Sequence, residues 1–593
     1  MKRLLTGNEA IARGAYEAGV SFASAYPGTP STEILQNLAE YDEILTEWAP
    51  NEKVSLEAVI GASLGGVRAI CSMKHVGLNV AADPYFTFSY TGVNGGTVII
   101  TADEPGQHSS QNEQDNRWYA LSGKVPMYEP ANSQECLDMV KEAFDISEQY
   151  DTPVLLRLTT RVCHSKGIVN TSERVEVPFK PYEKNAAKYV MVPSFAIKRR
   201  AVVEKRMEAF KEYTNKTPRN YIEKGGRTGV VASGVCRHYA KEVFGDEATY
   251  LNIGFSNPLP DDILDTFAEM VDEIYVVEEN DPYMLTWVRA LGYGGKVKAV
   301  FPTSGELTPD VLRRALGSPE LPTSKGDEGS LLARPPTLCA GCPHRGFFYE
   351  LAKRKDICIT GDIGCYTLGF MEPFNTMDTC ICMGGGFSVG HGFAQAQAIT
   401  GESKHVVGIL GDSTFFHMGI NSLIEVVYNN SKTVCVILDN RITAMTGGQQ
   451  HPGTGKTVKG KSVPVIDIAV IAKVVGVKLV MEINPNDLRK VKDALDTALA
   501  FDGPSVIITK WPCVLKKMDD EERAKYNNPF TKKYFVNDEC IACRMCIKCG
   551  CPAISMEKAE DGKNTSSVIN AVQCVGCEVC AQICPKKAIR ELV

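Results

Sequence analysis

The sequence lacks several features that would assign it to a common class. Its 593 residues contain no run of about 18 apolar residues, so no membrane span or membrane partner is expected. Two basic residues follow Met1 without an apolar stretch behind them, which argues against a signal peptide and favours a cytoplasmic location. The net charge is −7 and no long basic stripe is present, so a nucleic acid is not expected as a partner.

Cysteine, by contrast, is abundant. The chain has 21 cysteines, and nine of them fall between Cys540 and Cys584. In a large chain without an export signal, clustered cysteines indicate bound metal more often than disulfides. The other twelve are scattered, and most of them are expected to be small buried residues.

The second half of this cysteine-rich region has the spacing of a bacterial ferredoxin. In that spacing three thiolates bind one cluster and a fourth, before a proline, binds the other. The four residues are Cys574, Cys577, Cys580 and Cys584. The first half begins in the same way, with Cys540, Cys543 and Cys546. It then departs from the pattern, because Gly550 occupies the expected fourth position between Cys549 and Cys551.

We predict that Cys551 is the crossing ligand of the first half, because it precedes a proline; Cys549 is then a bystander or an alternative ligand. The predicted ligands of one [4Fe–4S] cluster are Cys540, Cys543, Cys546 and Cys584. Those of the other are Cys574, Cys577, Cys580 and Cys551. The alternative is a pair of zinc sites. Triple-cysteine runs, each followed by Cys-Pro, fit clusters better than zinc.

Polar residues follow two apolar, strand-like runs in the middle of the chain. Asp412 follows His405–Leu410, and Asn440 follows Thr433–Leu438. In an open parallel sheet, ligands bind at such strand ends. Both side chains offer the hard oxygen atoms that Mg²⁺ prefers, with phosphate oxygens completing its shell. The alternative is an ordinary pair of turns, in which these residue types are common.

A run of glycines precedes an apolar, helix-like stretch upstream of these strands. Gly384 and Gly385 could let backbone N–H groups approach a phosphate closely. They could equally serve close helix packing.

Two residues of the N-terminal third are candidates for catalysis. Thr29 lies in a proline-rich loop that could also be an ordinary turn. Glu57 lies in a nearly uncharged stretch, where desolvation would raise its pKa. Such a carboxyl group can assist deprotonation of thiamine diphosphate. The alternative for Glu57 is an ordinary first-turn helix glutamate.

Together these residues resemble the 2-oxoacid:ferredoxin oxidoreductases. The matching segments are the loop Tyr26–Ser31, Glu57 before a Gly-Ala-rich helix, Thr446–Gln449, and Cys339–His344. Within the family, the order of motifs resembles that of the large (alpha) subunits of the indolepyruvate type, and the resemblance covers essentially the whole chain.

The resemblance implies a set of cofactors and site residues. Thiamine diphosphate and Mg²⁺ would be held by residues at the two strand ends and nearby, namely Gly411, Asp412, Ser413, Asn440 and the carbonyl of Ile442. Cys339, Cys342 and His344 would lie near the cofactor. Glu57 would be catalytic, and Thr29 would contact the oxoacid carboxylate or the cofactor.

The resemblance also implies an activity and partners. The family couples oxidative decarboxylation of a 2-oxoacid, here an aryl 2-oxoacid such as indolepyruvate, to reduction of ferredoxin. Coenzyme A takes the acyl group, and a small (beta) subunit completes the hetero-oligomer. Three alternatives remain: a different 2-oxoacid, a non-oxidative thiamine enzyme, and an electron-transfer subunit with a degenerate thiamine fold.

The expected architecture is α/β, with doubly wound parallel sheets and a C-terminal ferredoxin-like domain. Four domains are predicted: pyrimidine-binding (1–185), smaller transketolase C-terminal-like (228–310), diphosphate-binding (337–515) and two-cluster (530–593). A linker over 308–336 separates the middle two. The basic residues Lys586, Lys587 and Arg590 are predicted to attract acidic ferredoxin, although a solvated helix face would look the same.

Overall fold

The structure, a computed structural model, describes residues 1–319, 335–558 and 565–592. These residues form two compact units, of which the first comprises 1–319 and the second the remainder. The predicted linker over 308–336 lies mostly outside the described residues. The first unit contains both N-terminal predicted domains, and the second contains the other two.

The first unit alternates strands and helices. Its strands are β1 (Lys2–Thr6), β2 (Phe22–Ala25), β3 (Leu45–Trp48), β4 (Ala69–Lys74), β5 (Thr97–Asp103), β6 (Met127–Tyr128), β7 (Val154–Thr159), β8 (Lys166–Asn170), β9 (Asn220–Glu223), β10 (Thr228–Ser233), β11 (Thr249–Ile253), β12 (Phe255–Asn257), β13 (Glu273–Val277) and β14 (Val297–Lys298). Its helices are α1 (Gly7–Glu17), α2 (Thr32–Leu38), α3 (Glu52–Leu64), α4 (His75–Val80), α5 (Ala82–Thr91), α6 (Arg117–Gly123), α7 (Ser133–Tyr150), α8 (Thr160–His164), α9 (Ala186–Tyr189), α10 (Pro193–Thr214), α11 (Cys236–Phe244), α12 (Asp261–Met270), α13 (Tyr283–Ala290) and α14 (Pro309–Ala315).

Two main sheets organise the first unit. The seven-stranded sheet has the order β12-β6-β7-β5-β4-β2-β3, and only the β12–β6 pair is antiparallel. The five-stranded sheet has the order β14-β13-β10-β11-β9, with an antiparallel edge at β9. Every residue of β4 and β5 is buried, as expected for central parallel strands covered by helices on both faces.

A buried group of charges links the two sheets of the first unit. Arg117 at the start of α6 reaches Glu278, just after β13, with 2.7 Å between Nη1 and Oε2. Arg157 on β7 contacts both Asp103 and Glu129, each at 2.6 Å. Burying a charge is costly unless it is paired in this way, and the Arg117–Glu278 pair connects the two sheets.

The second unit begins with another α/β fold and ends with short antiparallel strands. Its strands are β15 (Ile357–Gly361), β16 (Thr379–Cys380), β17 (His405–Gly411), β18 (Thr433–Asp439), β19 (Leu479–Ile483), β20 (Ser505–Lys510), β21 (Tyr534–Val536), β22 (Ile554–Lys558), β23 (Thr565–Ile569) and β24 (Ile589–Glu591). Its helices are α15 (His344–Leu351), α16 (Gly385–Thr400), α17 (Asp412–Thr414), α18 (Ile420–Tyr428), α19 (Ile468–Val474), α20 (Leu488–Ala500), α21 (Asp520–Lys525) and α22 (Val579–Ile583).

The six-stranded sheet of the second unit is parallel throughout, in the order β16-β15-β17-β18-β20-β19. β17 and β18 lie side by side at its centre, with Gly411 opposite Leu438. A π-helical turn, Phe415–Gly419, joins α17 to α18, so one helical segment begins directly at the end of β17. The predicted α/β class with parallel sheets is therefore confirmed.

The C-terminal residues form two antiparallel pairs, β21–β24 and β22–β23. Gln582 attaches them to the parallel-sheet region: its Oε1 accepts from Leu488 N at 3.0 Å, and its Nε2 donates to Asn486 O at 2.7 Å. The ferredoxin-like fold of this segment stays a prediction. Among the described residues, no helix has the length and apolar character needed to cross a membrane.

Candidate functional site

The two predicted magnesium ligands lie at the ends of adjacent central strands. Asp412 directly follows β17 and is 3% exposed, while Asn440 directly follows β18 and is 8% exposed. Because the strands are parallel, both residues meet at one edge of the sheet. The carboxylate and amide oxygens that Mg²⁺ prefers are thus brought together as the sequence predicted.

Sequence reasoning missed two residues that set the charge of this edge. His451 Nε2 lies 3.0 Å from Asp412 Oδ2. Burial acts to raise the pKa of Asp412, but His451, Asp439 and the Ser413 N–H together outweigh it, and the pKa of the carboxyl is lowered. Burial, reinforced by Asp412, raises the pKa of the neighbouring Asp439 to about 6. Asp412 is therefore held as the anion that a cation needs.

The segment after Asn440 folds back over the end of β17. Arg441 has a φ of 64° and places its Nη1 3.2 Å from Asp439 Oδ2. The next residue, Ile442, donates its N–H to Asn440 Oδ1 at 3.2 Å. Thr443 Oγ1 donates to Ser413 Oγ at 2.9 Å, which ties this turn to the Gly411–Ser413 segment. All the predicted residues of the motif are thus in one place.

The glycine run serves close packing. A Cβ on Gly384, whose φ is 87°, would come within 2.4 Å of the Met418 side chain. The Gly385 N–H donates to Cys382 O at 3.1 Å, and the Gly386 N–H donates to Asp362 Oδ2 at 3.0 Å. These contacts support the packing alternative, and a role of Gly384 and Gly385 at a phosphate stays a prediction.

His344 lies on the same side of the second unit as the predicted magnesium ligands. Its side chain is buried and stands edge-on to Tyr366, with 6.1 Å between the ring centroids. Burial lowers the pKa of His344 to about 4, although Asp412 opposes the effect. Its Nδ1 has no hydrogen-bond partner among the described residues. A neutral imidazole with a spare nitrogen can receive or donate a hydrogen bond at a bound ligand.

Four cysteines gather beside this edge of the sheet: Cys339, Cys342, Cys365 and Cys513. We call them the cofactor-side cysteine group. Burial raises the pKa of the Cys342 thiol, and nearby Cys513 and Cys339 raise it further. The pKa of Cys365 is raised to about 11 by burial and by the same two neighbours. The Cys513 N–H donates to Asn440 O at 2.9 Å, which places the group directly against the edge of the sheet that carries Asp412 and Asn440; we call this the metal edge because these two are the predicted magnesium ligands.

Two of these four cysteines were predicted, and two were missed. Cys365 and Cys513 belong to the twelve scattered cysteines, most of which the sequence predicts to be small buried residues. The available signal was local: Cys365 follows the end of β15 by four residues, and Cys513 follows the end of β20 by three residues. The gathering itself is a property of the tertiary structure.

The first C-terminal cysteine group lines one small cavity. Its members are Cys540, Cys543, Cys546 and Cys584, the set predicted for one cluster. Ser567, Val536 and Ile589 complete the wall, and the Lys586 side chain reaches its rim. The gathering agrees with the predicted ligand set.

The second C-terminal cysteine group contains five residues: Cys549, Cys551, Cys574, Cys577 and Cys580. Burial raises the pKa of Cys580, and the other four thiols raise it further. Both Cys549 and Cys551 therefore lie near the Cys574–Cys580 run, and the choice of Cys551 stays a prediction. No His, Cys, Asp and Glu side chains in the described ranges converge closely enough to hold a single metal ion. In a cluster each thiolate binds its own iron, so the ligands need not converge on one point.

In the first unit, the loop that carries Thr29 packs against Lys74, which in turn contacts Ser109 and Glu104. The half-buried Thr29 follows Gly28, whose hypothetical Cβ would lie 3.2 Å from Lys74 Cβ. Lys74 Nζ donates to Ser109 O at 2.9 Å and lies 3.2 Å from Glu104 Oε2. Lys74 was not predicted from the sequence. It is the last residue of β4 and is buried beside the Thr29 loop.

Glu57 lies on α3, and its surroundings differ from the prediction. Its side chain is 45% exposed, and Oε1 contacts Lys53 Nζ one helical turn earlier. The buried face of α3 carries its neighbours Leu56 and Val59 instead. The predicted apolar environment is therefore wrong for the first unit, because uncharged neighbours in sequence point to other faces of a helix. The catalytic role of Glu57 stays a prediction.

Two known sequence profiles match this chain, one in the first unit and one in the second. The sequence profile "Pyruvate flavodoxin/ferredoxin oxidoreductase, thiamine diP-bdg" matches residues 13–224. The profile "Thiamine pyrophosphate enzyme, C-terminal TPP binding domain" matches residues 362–509, which include Asp412 and Asn440. The fold and these two profiles define a thiamine diphosphate-dependent enzyme of the 2-oxoacid:ferredoxin oxidoreductase class.

Full-length relatives narrow the assignment. "Indolepyruvate oxidoreductase subunit IorA" of Archaeoglobus fulgidus is 39% identical over 99% of this chain and 97% of its own. The protein of the same name from Pyrococcus abyssi is 37% identical with the same coverage. The chain belongs to this IorA family. A solved 2-oxoglutarate:ferredoxin oxidoreductase from Magnetococcus marinus is similar over 53% of this chain and 65% of its own, at 15% identity and a TM-score of 0.45.

Proposed function

We propose that this chain is the catalytic subunit of an enzyme that oxidatively decarboxylates aryl 2-oxoacids, indolepyruvate among them, to acyl-coenzyme A and carbon dioxide while reducing ferredoxin. The observation that carries the proposal is the contact between the metal edge and the cofactor-side cysteine group, made by Cys513 N and Asn440 O at 2.9 Å. A non-oxidative thiamine enzyme transfers no electrons to clusters, so it would leave this cysteine group unexplained.

The strand-end residues fit a diphosphate-bound magnesium ion. Asp412 is anionic and buried, and Asn440 lies on the neighbouring strand. In the proposed site these two side chains and the Ile442 carbonyl hold the metal, while the diphosphate supplies the remaining oxygen ligands. The bound thiamine would supply the electron sink for decarboxylation. His451 keeps Asp412 ionised and oriented through its 3.0 Å contact.

Residues of the first unit are proposed to act on the cofactor and the substrate. Glu57 would hold or donate a proton at the aminopyrimidine, once another protein surface covers its exposed side chain. Thr29 and Lys74 would orient the carboxylate of the oxoacid. Lys74 supports this role because it is buried and its Nζ lies 3.2 Å from Glu104 Oε2. An ammonium group held in this way can bind an anion with little reorganisation.

The cysteine groups are proposed to carry electrons in sequence. The cofactor-side group has four thiols, the number that a [4Fe–4S] cluster needs, beside the thiamine site. The second C-terminal group adjoins it, because a Cβ on Gly341 of the Cys339–Cys342 loop would come within 2.0 Å of Val575. The first C-terminal group would then pass electrons to ferredoxin, near the exposed Lys586, Lys587 and Arg590.

A small (beta) subunit is proposed as the partner, as family membership implies, and coenzyme A as the co-substrate. The test uses the purified complex of both subunits under anaerobic conditions. Ferredoxin reduction is measured with coenzyme A and a panel of oxoacids: indolepyruvate, phenylpyruvate, pyruvate, 2-oxoglutarate and a branched oxoacid. The highest kcat/KM with the aryl acids supports the proposal, and preference for another acid overturns the substrate assignment. Full activity without iron or without thiamine diphosphate overturns the proposal entirely.

A further inference from the structure

One arginine side chain joins two of the cysteine groups. Arg345 lies at the start of α15, three residues after Cys342, and is 1% exposed. On one side Nε donates to Cys339 O at 2.8 Å, and Nη2 donates to Leu338 O. On the other side Nη1 donates to Cys549 O at 3.1 Å and to Gly550 O. All four acceptors are main-chain carbonyls, and each belongs to a cysteine of one of the two groups or to the residue next to it.

The charge of Arg345 acts on both groups. The buried guanidinium lies between them and donates to the Cys339 carbonyl on one side and to the Cys549 carbonyl on the other. Among the described residues, no carboxylate forms an ion pair with Arg345. A buried guanidinium is costly unless negative charge lies near it. In the proposed function, cluster thiolates on either side would supply that charge.

The backbone around Arg345 leaves little room for movement. Gly550 has a φ of 63°, and a Cβ there would lie 3.1 Å from Arg345 Nη1. The Cys339–Cys342 loop meets the second C-terminal group at Gly341 and Val575, as described above. The fork of the guanidinium therefore spans the junction at which the two cysteine groups approach each other.

We propose that Arg345 is a positioning residue for electron transfer, which fixes the separation of the cofactor-side cluster from the next cluster and raises the reduction potentials of both. The inference rests on the proposed function, which places iron–sulfur clusters at these cysteines. In the step concerned, one electron leaves the cofactor-side cluster, which is oxidised, and enters the neighbouring cluster, which is reduced. No atom or proton is transferred.

Two substitutions separate charge from geometry. Arg345→Met removes both the charge and the hydrogen-bonding fork, whereas Arg345→Lys keeps the charge and loses the planar fork. We expect the methionine variant to shift two cluster potentials to more negative values, because a buried cation stabilises the reduced state. The lysine variant should hold potentials close to the wild type. Both should slow intercluster transfer, on the order of tenfold or more, since the fork fixes the geometry.

Arg354→Met is the matched control. Arg354 lies three residues beyond α15 and pairs with Asp496, away from the cysteine groups. Loss of this arginine should leave all potentials and transfer rates unchanged. The potential of the cluster at Cys540, Cys543, Cys546 and Cys584 should also stay unchanged in every variant, which provides an internal reference.

The measurements use the anaerobic two-subunit complex. Iron and sulfide are quantified, potentials are obtained by redox titration with electron paramagnetic resonance, and rapid freezing after substrate addition follows cluster reduction. Full iron with wild-type potentials and transfer rates in Arg345→Met overturns the role of Arg345. If that variant loses iron, Arg345→Lys decides: full iron with slow transfer supports the role, and wild-type transfer overturns it. Wild-type complex without iron at the cofactor-side group would instead overturn the proposed function.

Discussion

The acidic residues predicted for catalysis and for metal binding stand in opposite surroundings. In the first unit the Glu57 side chain is 45% exposed and contacts Lys53. In the second unit Asp412 is 3% exposed, 3.0 Å from His451 and next to Asn440. The second unit thus brings the two predicted metal ligands together by itself. The role predicted for Glu57 would require another protein surface to cover its exposed side chain.

The comparison predicts that the two acids respond differently to replacement. Asp412→Ala should abolish thiamine-dependent activity and weaken Mg²⁺ binding by about 100-fold or more, because a buried anionic ligand is lost. Titration of thiamine diphosphate and Mg²⁺ by calorimetry measures the effect. His451→Gln is the graded companion, with a loss of about 10–100-fold. Normal metal affinity in the alanine variant would contradict the assigned metal edge.

Glu57→Gln should reduce kcat by about 100–10,000-fold, the usual contribution of a general acid–base group. Because Glu57 is exposed in its own unit, the melting temperature of the chain should hardly change. Lys53→Met removes the residue that contacts it and serves as the control, with a small effect expected. A kcat within twofold of wild type in Glu57→Gln would remove Glu57 from the mechanism.

The surplus cysteine of the second C-terminal group can be resolved by a pair of variants. Cys551→Ser should lower the iron content by about four atoms per chain, since one cluster loses a ligand. Cys549→Ser should retain all iron, as expected for a bystander. Iron and sulfide analysis under anaerobic conditions distinguishes them, and the reverse result would assign Cys549 as the ligand.

Lys74→Met should raise the KM for the oxoacid by about tenfold, equivalent to about 1.4 kcal/mol, with a smaller effect on kcat. The reason is the loss of a buried ammonium group beside Thr29. Lys166, exposed on β8, provides a matched control when it is replaced by methionine. An unchanged KM in Lys74→Met would restrict this lysine to holding Ser109 and Glu104.

The last expected effect is a pH dependence of the stability of the first unit. Burial raises the pKa of Glu279 to about 7, so the folded chain keeps a proton that the unfolded chain releases near pH 4 to 5. Stability should therefore fall as the pH rises from the pKa of the unfolded chain to that of the folded chain, by on the order of 2 kcal/mol. Glu279→Gln should flatten this part of the profile. Denaturant unfolding at pH 5 and pH 8 compares the two, and an unchanged slope would exclude Glu279 as the cause.

Local patterns in the sequence determined the parallel α/β class and the strand-end pair Asp412 and Asn440. The reason is that a buried strand with a polar end leaves its mark within about ten residues. The same logic identified the C-terminal cysteines, because ligand spacing along the chain is itself the signal. It did not identify His451, whose contact with Asp412 joins residues 39 apart.

The tertiary structure alone decided which distant residues meet. It gathered Cys365 and Cys513 with Cys339 and Cys342, and it placed Arg345 between two cysteine groups, because the register of the parallel sheet and the attachment of the C-terminal segment set these distances. It also decided the exposure of Glu57, which depends on the face of α3 and not on the composition of the stretch. The sequence by itself determined which chemical groups the chain carries. Only the fold determined which of them come into contact, because contacts between distant residues leave no local pattern in the sequence.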